Sequence, residues 1–267
     1  MKSIAGVPLW KWTALAAAVV LLAIALLTTD GSSPAVATVD GQPISLSSYR
    51  DWLRAAAVSA HAGDSAVPAF VPDAPSYSRC IVFERAAAGK GGSTVPSEST
   101  LRSYCNQIRV TEAEEVMQFL LDGQWFVDQG AREGLGVSAA QVQKALHTSF
   151  PKTTGLSQFL NSNGLNRSDL EFEARAALLA EKLTARHSGP TPTISSAQID
   201  SYYNKNRSQI GNETLAQATP AIRQTLISTA QAPAFDAWMS KLQKYFQPLT
   251  DCAAGYRIAY YCRGALK

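Results

Sequence analysis

The sequence predicts a mainly α-helical protein: an N-terminal transmembrane helix, then an irregular multi-helix domain with a small β-hairpin and a long helix near the C-terminus. Three observations carry this. The first is Val110 to Gly134, VTEAEEVMQFLLDGQWFVDQGAREG, the longest apolar-periodic run beyond the N-terminus. Ala113, Val116, Met117, Leu120, Leu121, Val127 and Ala131 share one helical face by their spacing. Phe119 and Phe126 make a second stripe and Trp125 broadens the first, so partners surround this helix and it is the central one. Glu112, Glu114 and Glu115 are expected in its first turn, where the helix dipole favours acids, and Gly134 and Gly136 stop it. The second is a series of helix-start signals after Gly136. The third is Asp40-Gly41, a strong two-residue turn between β-prone pieces.

The N-terminus sets the address. Lys2 and Lys11 precede an apolar run from Trp12 to Leu27, followed by Thr28, Thr29 and Asp30. This run is near the lower limit of the roughly twenty residues that span a bilayer. The flanking lysines put residues 1–11 in the cytoplasm, with residues 12–29 as a single-pass anchor in the cell membrane and the rest extracytoplasmic. A cleaved signal peptide, giving a secreted form, is the competing reading, because Ala35-Val36-Ala37 has the pattern of a cleavage site. That site lies about ten residues beyond the apolar core, which favours the anchor. A net charge of +3 without a Lys/Arg cluster excludes a nucleic-acid partner.

Cys80, Cys105, Cys252 and Cys262 all lie on the exported side. An even number in an oxidising compartment points to disulfides. Three pairings exist; the local one, Cys80 with Cys105 and Cys252 with Cys262, is the reading adopted. A zinc site is the alternative, poorly served by four scattered cysteines without a C-x-x-C pair.

In chain order, Val36 to Ser45 is the hairpin, and Ser45 or Ser47 caps a helix from Leu46 to His61 with Tyr49, Leu53, Ala56 and Ala57 on one face. Gly63 to Ser78 is a loop rich in Pro, Ala and Ser. Between Cys80 and Cys105 come a short helix and the flexible tip GKGGSTVPSEST. Ser97 or Ser99 then caps a helix that carries Leu101, Tyr104 and Ile108 into the central one. Ser138 with Gln141 is a capping box, and Pro151 ends that helix. A short helix around Phe159 and Leu160 follows. Asn166 caps a long one with Leu170, Ala174, Ala177, Leu178 and Leu183 toward the core. Gly189-Pro190-Thr191-Pro192 breaks it, and Ser195 with Gln198 opens a helix through Ile199, Tyr202 and Tyr203. Asn206 to Gln217 is unpatterned. Thr219-Pro220 starts the last long helix, which Pro233 should kink or split. The alternation between Cys252 and Cys262 fits a short strand pair.

Chemistry is sparse. His61, His147 and His187 each sit near a predicted helix end, where a histidine suits the dipole and needs no further role. There is no G-x-S-x-G, H-E-x-x-H or P-loop pattern, so the sequence calls for no cofactor, no metal and no catalytic residue. Glu114-Glu115 and Glu171/Glu173 are neighbours that do not face each other on a helix. Phe119, Trp125, Phe126, Phe150, Phe159 and Trp238 are more aromatics than one small helical core needs. Their plain reading is core; the functional one is a concave apolar surface that holds unfolded segments.

The order of parts resembles a known family. VATVDGQPISLSSYRDWL follows the membrane segment; then come EEVMQFLLDGQWFVDQGAREGLGVSAAQVQKAL, FLNSNGLNRSDLEFEARAALLAEKL and ISSAQIDSYYNKNRSQ. This is similar to the N-terminal helical domain of SurA-like periplasmic chaperones and PrsA-type foldases. The V-x-G-x-x-I-S hairpin, the GLGVS break and the I-x-x-Y-Y-x-x-N helix are the recurring marks. The pattern covers residues 35–209. Residues 219–247 resemble the domain's returning helix, and the disulfide-closed tail, residues 248–267, resembles that of actinobacterial members. In the foldases a parvulin-type isomerase domain follows the YYNKN helix. Here Ser208 to Ala218 stands there, about ten residues where such a domain needs roughly a hundred.

The resemblance therefore implies a chaperone module without its enzyme: a membrane-anchored holdase whose partners are unfolded or nascent exported polypeptides. An adaptor that docks one envelope partner, and a prolyl isomerase by family association only, are its rivals.

Overall fold

A computed structural model describes residues 34–60, 70–90 and 94–265. The predicted anchor (12–29), the expected cytoplasmic tail (1–11) and His61 lie outside them. Among the described residues no helix is long and apolar enough to cross a membrane.

The Asp-Gly turn forms as its chemistry requires. β1 (Ala35–Val39) and β2 (Gln42–Ser45) pair antiparallel, Val39 opposite Gln42. Asp40 and Gly41 both have positive φ, 46° and 81°, as a type I′ turn demands. The expected two-stranded hairpin gains a third strand, β3 (Thr250–Cys252), in the order β2-β1-β3. The expected strand pair between Cys252 and Cys262 does not form. The bonds of β3 go to β1, and the rest of the tail is turns, with Arg263 N–H returning to the Thr250 carbonyl at 2.7 Å.

α1 (Leu46–Ala60) follows the sheet, and α2 (Ser78–Lys90) precedes the central helix α3 (Glu98–Arg132). Ser97 caps α3, its hydroxyl accepting from Thr100 N–H. Because α3 starts this early, Glu112, Glu114 and Glu115 lie mid-helix, and the first-turn acid is Glu98. Ala131 is exposed, because at this end of α3 it is Gly130 that faces the core, against Leu179. The C-terminus is a Schellman closure: Leu135 N–H reaches Gly130 O at 2.8 Å, Gly134 N–H reaches Ala131 O at 3.1 Å, and Gly134 takes φ 66°.

Three capping boxes then set three helices. Ser138/Gln141 opens α4 (Ala139–Ser149), Asn166/Asp169 opens α6 (Arg167–His187) and Ser195/Gln198 opens α7 (Ser196–Lys205). α5 (Thr153–Asn163) lies between the first two and ends on left-handed Gly164. On α6, Ala176 and Leu179 are buried, whereas the expected core residue Ala177 is exposed.

The stretch read as unpatterned holds α8 (Arg207–Ile210) and the start of α9 (Leu215–Phe246). A fourth capping box, Thr214/Gln217, starts α9 ahead of Pro220. Pro233 does not break it. Pro233 and Thr229, whose carbonyl loses its i+4 donor, are both exposed, so that carbonyl is open to solvent and the lost bond costs little.

Ala35–Lys267 is one compact unit, with four apolar clusters among its described residues. The largest joins β1, α1, α3, the end of α9 and the tail around Trp125, Leu121 and Phe246. A second ties α2 to α3 around Cys80, Cys105 and Tyr77. A third joins α1, α4 and α6, and a fourth joins α7 to α9. Both local disulfides are present, Cys80–Cys105 and Cys252–Cys262.

Candidate functional site

The six aromatics singled out in the sequence are divided among four surroundings. Trp125 is core, a correction to its reading as client-binding. It is 1% exposed and lies against Phe246 and Tyr261, with ring centroids at 5.9 and 4.8 Å. Its indole N–H donates to the Thr250 hydroxyl at 3.0 Å. Such a side chain has no surface left for a ligand. Phe119 packs edge-on against Trp52 at 4.7 Å, and Phe126 packs against the main core; both are half-buried.

Trp238 belongs to a clasp between three helix segments. The His187 ring stacks on it at 4.4 Å, nearly parallel, which joins the end of α6 to α9. His187 Nε2 lies 2.8 Å from Glu133 Oε1, and Arg186 donates to Glu133 Oε2 at 3.1 Å. Burial raises the Glu133 carboxyl, but hydrogen bonds from Gln129, His187 and Arg186 outweigh it and leave the group below its usual range. His147 is in the last turn of α4, exposed. The carboxylate sits on a cation and an imidazole in a fixed structural role.

The remaining two, Phe150 and Phe159, come together. α4 ends at Phe150, the chain turns at Pro151, and α5 brings Phe159 back so that the ring centroids lie 5.0 Å apart. Pro151 enforces that turn because it cannot continue the helix. α6 runs alongside α4, fixed at one end by Arg167, which donates to Gln143 Oε1 and to Glu171 Oε1 at 2.9 Å.

The three helices leave an open depression of about 360 Å³. Its floor is Leu146, Phe150, Phe159, Ala174 and Leu178. Phe159 is 37% exposed, on a helix that has no buried residue. Glu173 and Glu181 stand at the edge. Burial pushes the Glu173 carboxyl above its usual range, while hydrogen bonds from Gln143 and Arg167 hold Glu171 below it. Two sequence neighbours on one helix thus have opposite environments.

Glu173, Ala174, Ala177, Leu178 and Glu181 form one stripe of α6 at i, i+1, i+4, i+5 and i+8. Ala174, Ala177 and Leu178 of this stripe were expected toward the core; they line the depression instead, because what faces them is set by the return of α5. Among the described residues no group of His, Cys, Asp or Glu side chains is placed to hold a metal ion. Compared with known proteins, the chain matches no family model, no curated protein and no solved structure.

Proposed function

We propose that this protein is a membrane-anchored extracytoplasmic chaperone, a holdase that binds unfolded exported polypeptides without doing chemistry on them. The observation that carries the reading is the depression between α4, α5 and α6, open to solvent and floored by Phe150, Phe159 and Leu178. Burying apolar client surface there contributes about 25 cal/mol per Å² before the costs of association. The resemblance to the N-terminal domain of SurA-like chaperones supplies the second support. The return of α9 to the N-terminal sheet, with Leu242 and Phe246 in the same cluster as Val36 and Val39, is consistent with it.

The test is a titration of the oxidised Ala35–Lys267 unit against a chemically unfolded client, followed by light scattering. Stoichiometric suppression of aggregation is expected, with no acceleration of proline-peptide isomerisation in a parallel assay. A folded, oxidised sample that leaves aggregation unchanged overturns the holdase reading. Isomerase activity above background would put the enzyme reading ahead of the holdase.

An adaptor docking one envelope partner is the second reading. The size of the depression favours it, because about 360 Å³ seats a few side chains and not a long client segment. Pull-down from membranes of a single partner in fixed stoichiometry is the result that distinguishes it.

A further inference from the structure

The charge around the α4–α5–α6 depression has one sign. Both ionisable side chains that line it, Glu173 and Glu181, are carboxylates. Neither has a hydrogen-bond or ion-pair partner among the described residues. The depression on the other side of Phe150 and Leu146 is lined by Lys144, His147 and Arg167 instead. The acidic edge is therefore local to the apolar floor that carries Phe159, and it persists in a chain whose net charge is +3.

We propose that this depression takes exported-chain segments in which aliphatic or aromatic side chains are flanked by Lys or Arg. The apolar groups sit on Phe150 and Phe159, and the cation meets Glu173 and Glu181. This rests on the holdase reading and names its substrate class. The long apolar stems of Lys and Arg suit the arrangement, since they lie along Leu178 while the charged head reaches the edge. Glu173 is desolvated by its surroundings without a cation to compensate, so an arriving ammonium or guanidinium group supplies the missing partner. A segment carrying Asp or Glu at the same place meets like charge and is rejected.

The experiment uses the full 267-residue chain in lipid nanodiscs. The probes are three fluorescein-labelled peptides with a common Leu-Phe-Leu centre, flanked by Lys, by norleucine or by Glu. Anisotropy titrations are expected to rank Lys above norleucine above Glu. The double variant Glu173→Gln/Glu181→Gln should weaken the Lys peptide by about fivefold, the scale of two partly exposed ion pairs, and leave the norleucine peptide unchanged. Added salt should erase the same difference. Phe159→Ser should weaken the Lys and norleucine peptides together. Equal affinity for the Lys and Glu peptides, or a double variant indistinguishable from the parent, overturns the charge preference. Aggregation suppression intact in that case leaves the holdase reading standing. Loss of suppression in the parent protein removes that reading itself.

Discussion

Thr250 shows how one side chain closes the main core. It is fully buried; its hydroxyl accepts from the Trp125 indole at 3.0 Å and donates to the Phe246 carbonyl at 2.8 Å. Thr250→Val keeps the shape and strands a buried N–H, so a loss of about 1–3 kcal/mol is expected in urea denaturation. Asp122 is the opposite case. It accepts from the Tyr261 hydroxyl at 3.2 Å, but its other oxygen is buried without a partner among the described residues. Burial pushes its carboxyl up to about 6 from 3.8, against the smaller pull of the Tyr261 and Gln118 hydrogen bonds. Between those values the folded state holds a proton that the unfolded chain has released. Stability therefore falls as pH rises through that window and levels off above it. The full loss is on the order of 3 kcal/mol. Asp122→Asn keeps an acceptor for Tyr261 and removes the charge. Denaturation at acid and neutral pH should show the variant more stable near pH 7 and the difference vanishing toward about pH 4.

At the scale of elements, α3 and α6 approach closely because α3 presents glycine where they cross. A Cβ on Gly130 would stand 2.5 Å from Leu179 Cδ2, and one on Gly123 2.8 Å from Phe172 Cζ. Leu179 is itself core and has little room to move. Gly130→Ala gains about 1 kcal/mol of helix propensity. Overpacking costs about 1–3 kcal/mol, so a net loss of melting temperature is expected. A rise would show that α6 shifts freely on α3. The same crossing explains the partly misread face of α6. Leu178 was expected inward, yet Leu179 fills the space over Gly130 and Leu178 turns to the depression. Periodicity located the helix, its cap and two of its core residues, Leu170 and Leu183; in the middle Ala176 and Leu179 are buried where Ala177 and Leu178 were expected, because the glycines of α3 lie opposite them.

Across the molecule, two long-range elements join three of the four apolar clusters among the described residues. α1 brings Trp52 to both the main and third clusters. α9 starts against Ile199 and Tyr203 of α7 and ends with Phe246 beside Trp125. The disulfides divide accordingly. Cys80–Cys105 holds the α2 excursion in its own cluster, whereas Cys262 is part of the main one. Each closure contributes about 3 kcal/mol in the chain-entropy view. Cys80→Ser with Cys105→Ser should raise amide exchange in α2 while the exchange of Leu120 and Leu121 stays slow. Cys252→Ser with Cys262→Ser should speed exchange at both. Equal effects of the two pairs would mean that α2 is no separate cooperative unit.

What the sequence determined by itself is local. Asp40-Gly41 needed only its own φ preferences, the capping boxes only the first turn of each helix, and the cysteine pairs only proximity along the chain. The tertiary structure decided what distant segments do to one another. β3 joins β1 across more than two hundred residues because Thr250 sits under Trp125. Trp125 is core because the tail covers it, and Phe150 and Phe159 share a depression because Pro151 folds α5 back beside α6. An aromatic side chain drives burial equally well in a core and in a groove. Which one it occupies depends on the number of neighbours that close over it, and those neighbours come from elsewhere in the chain.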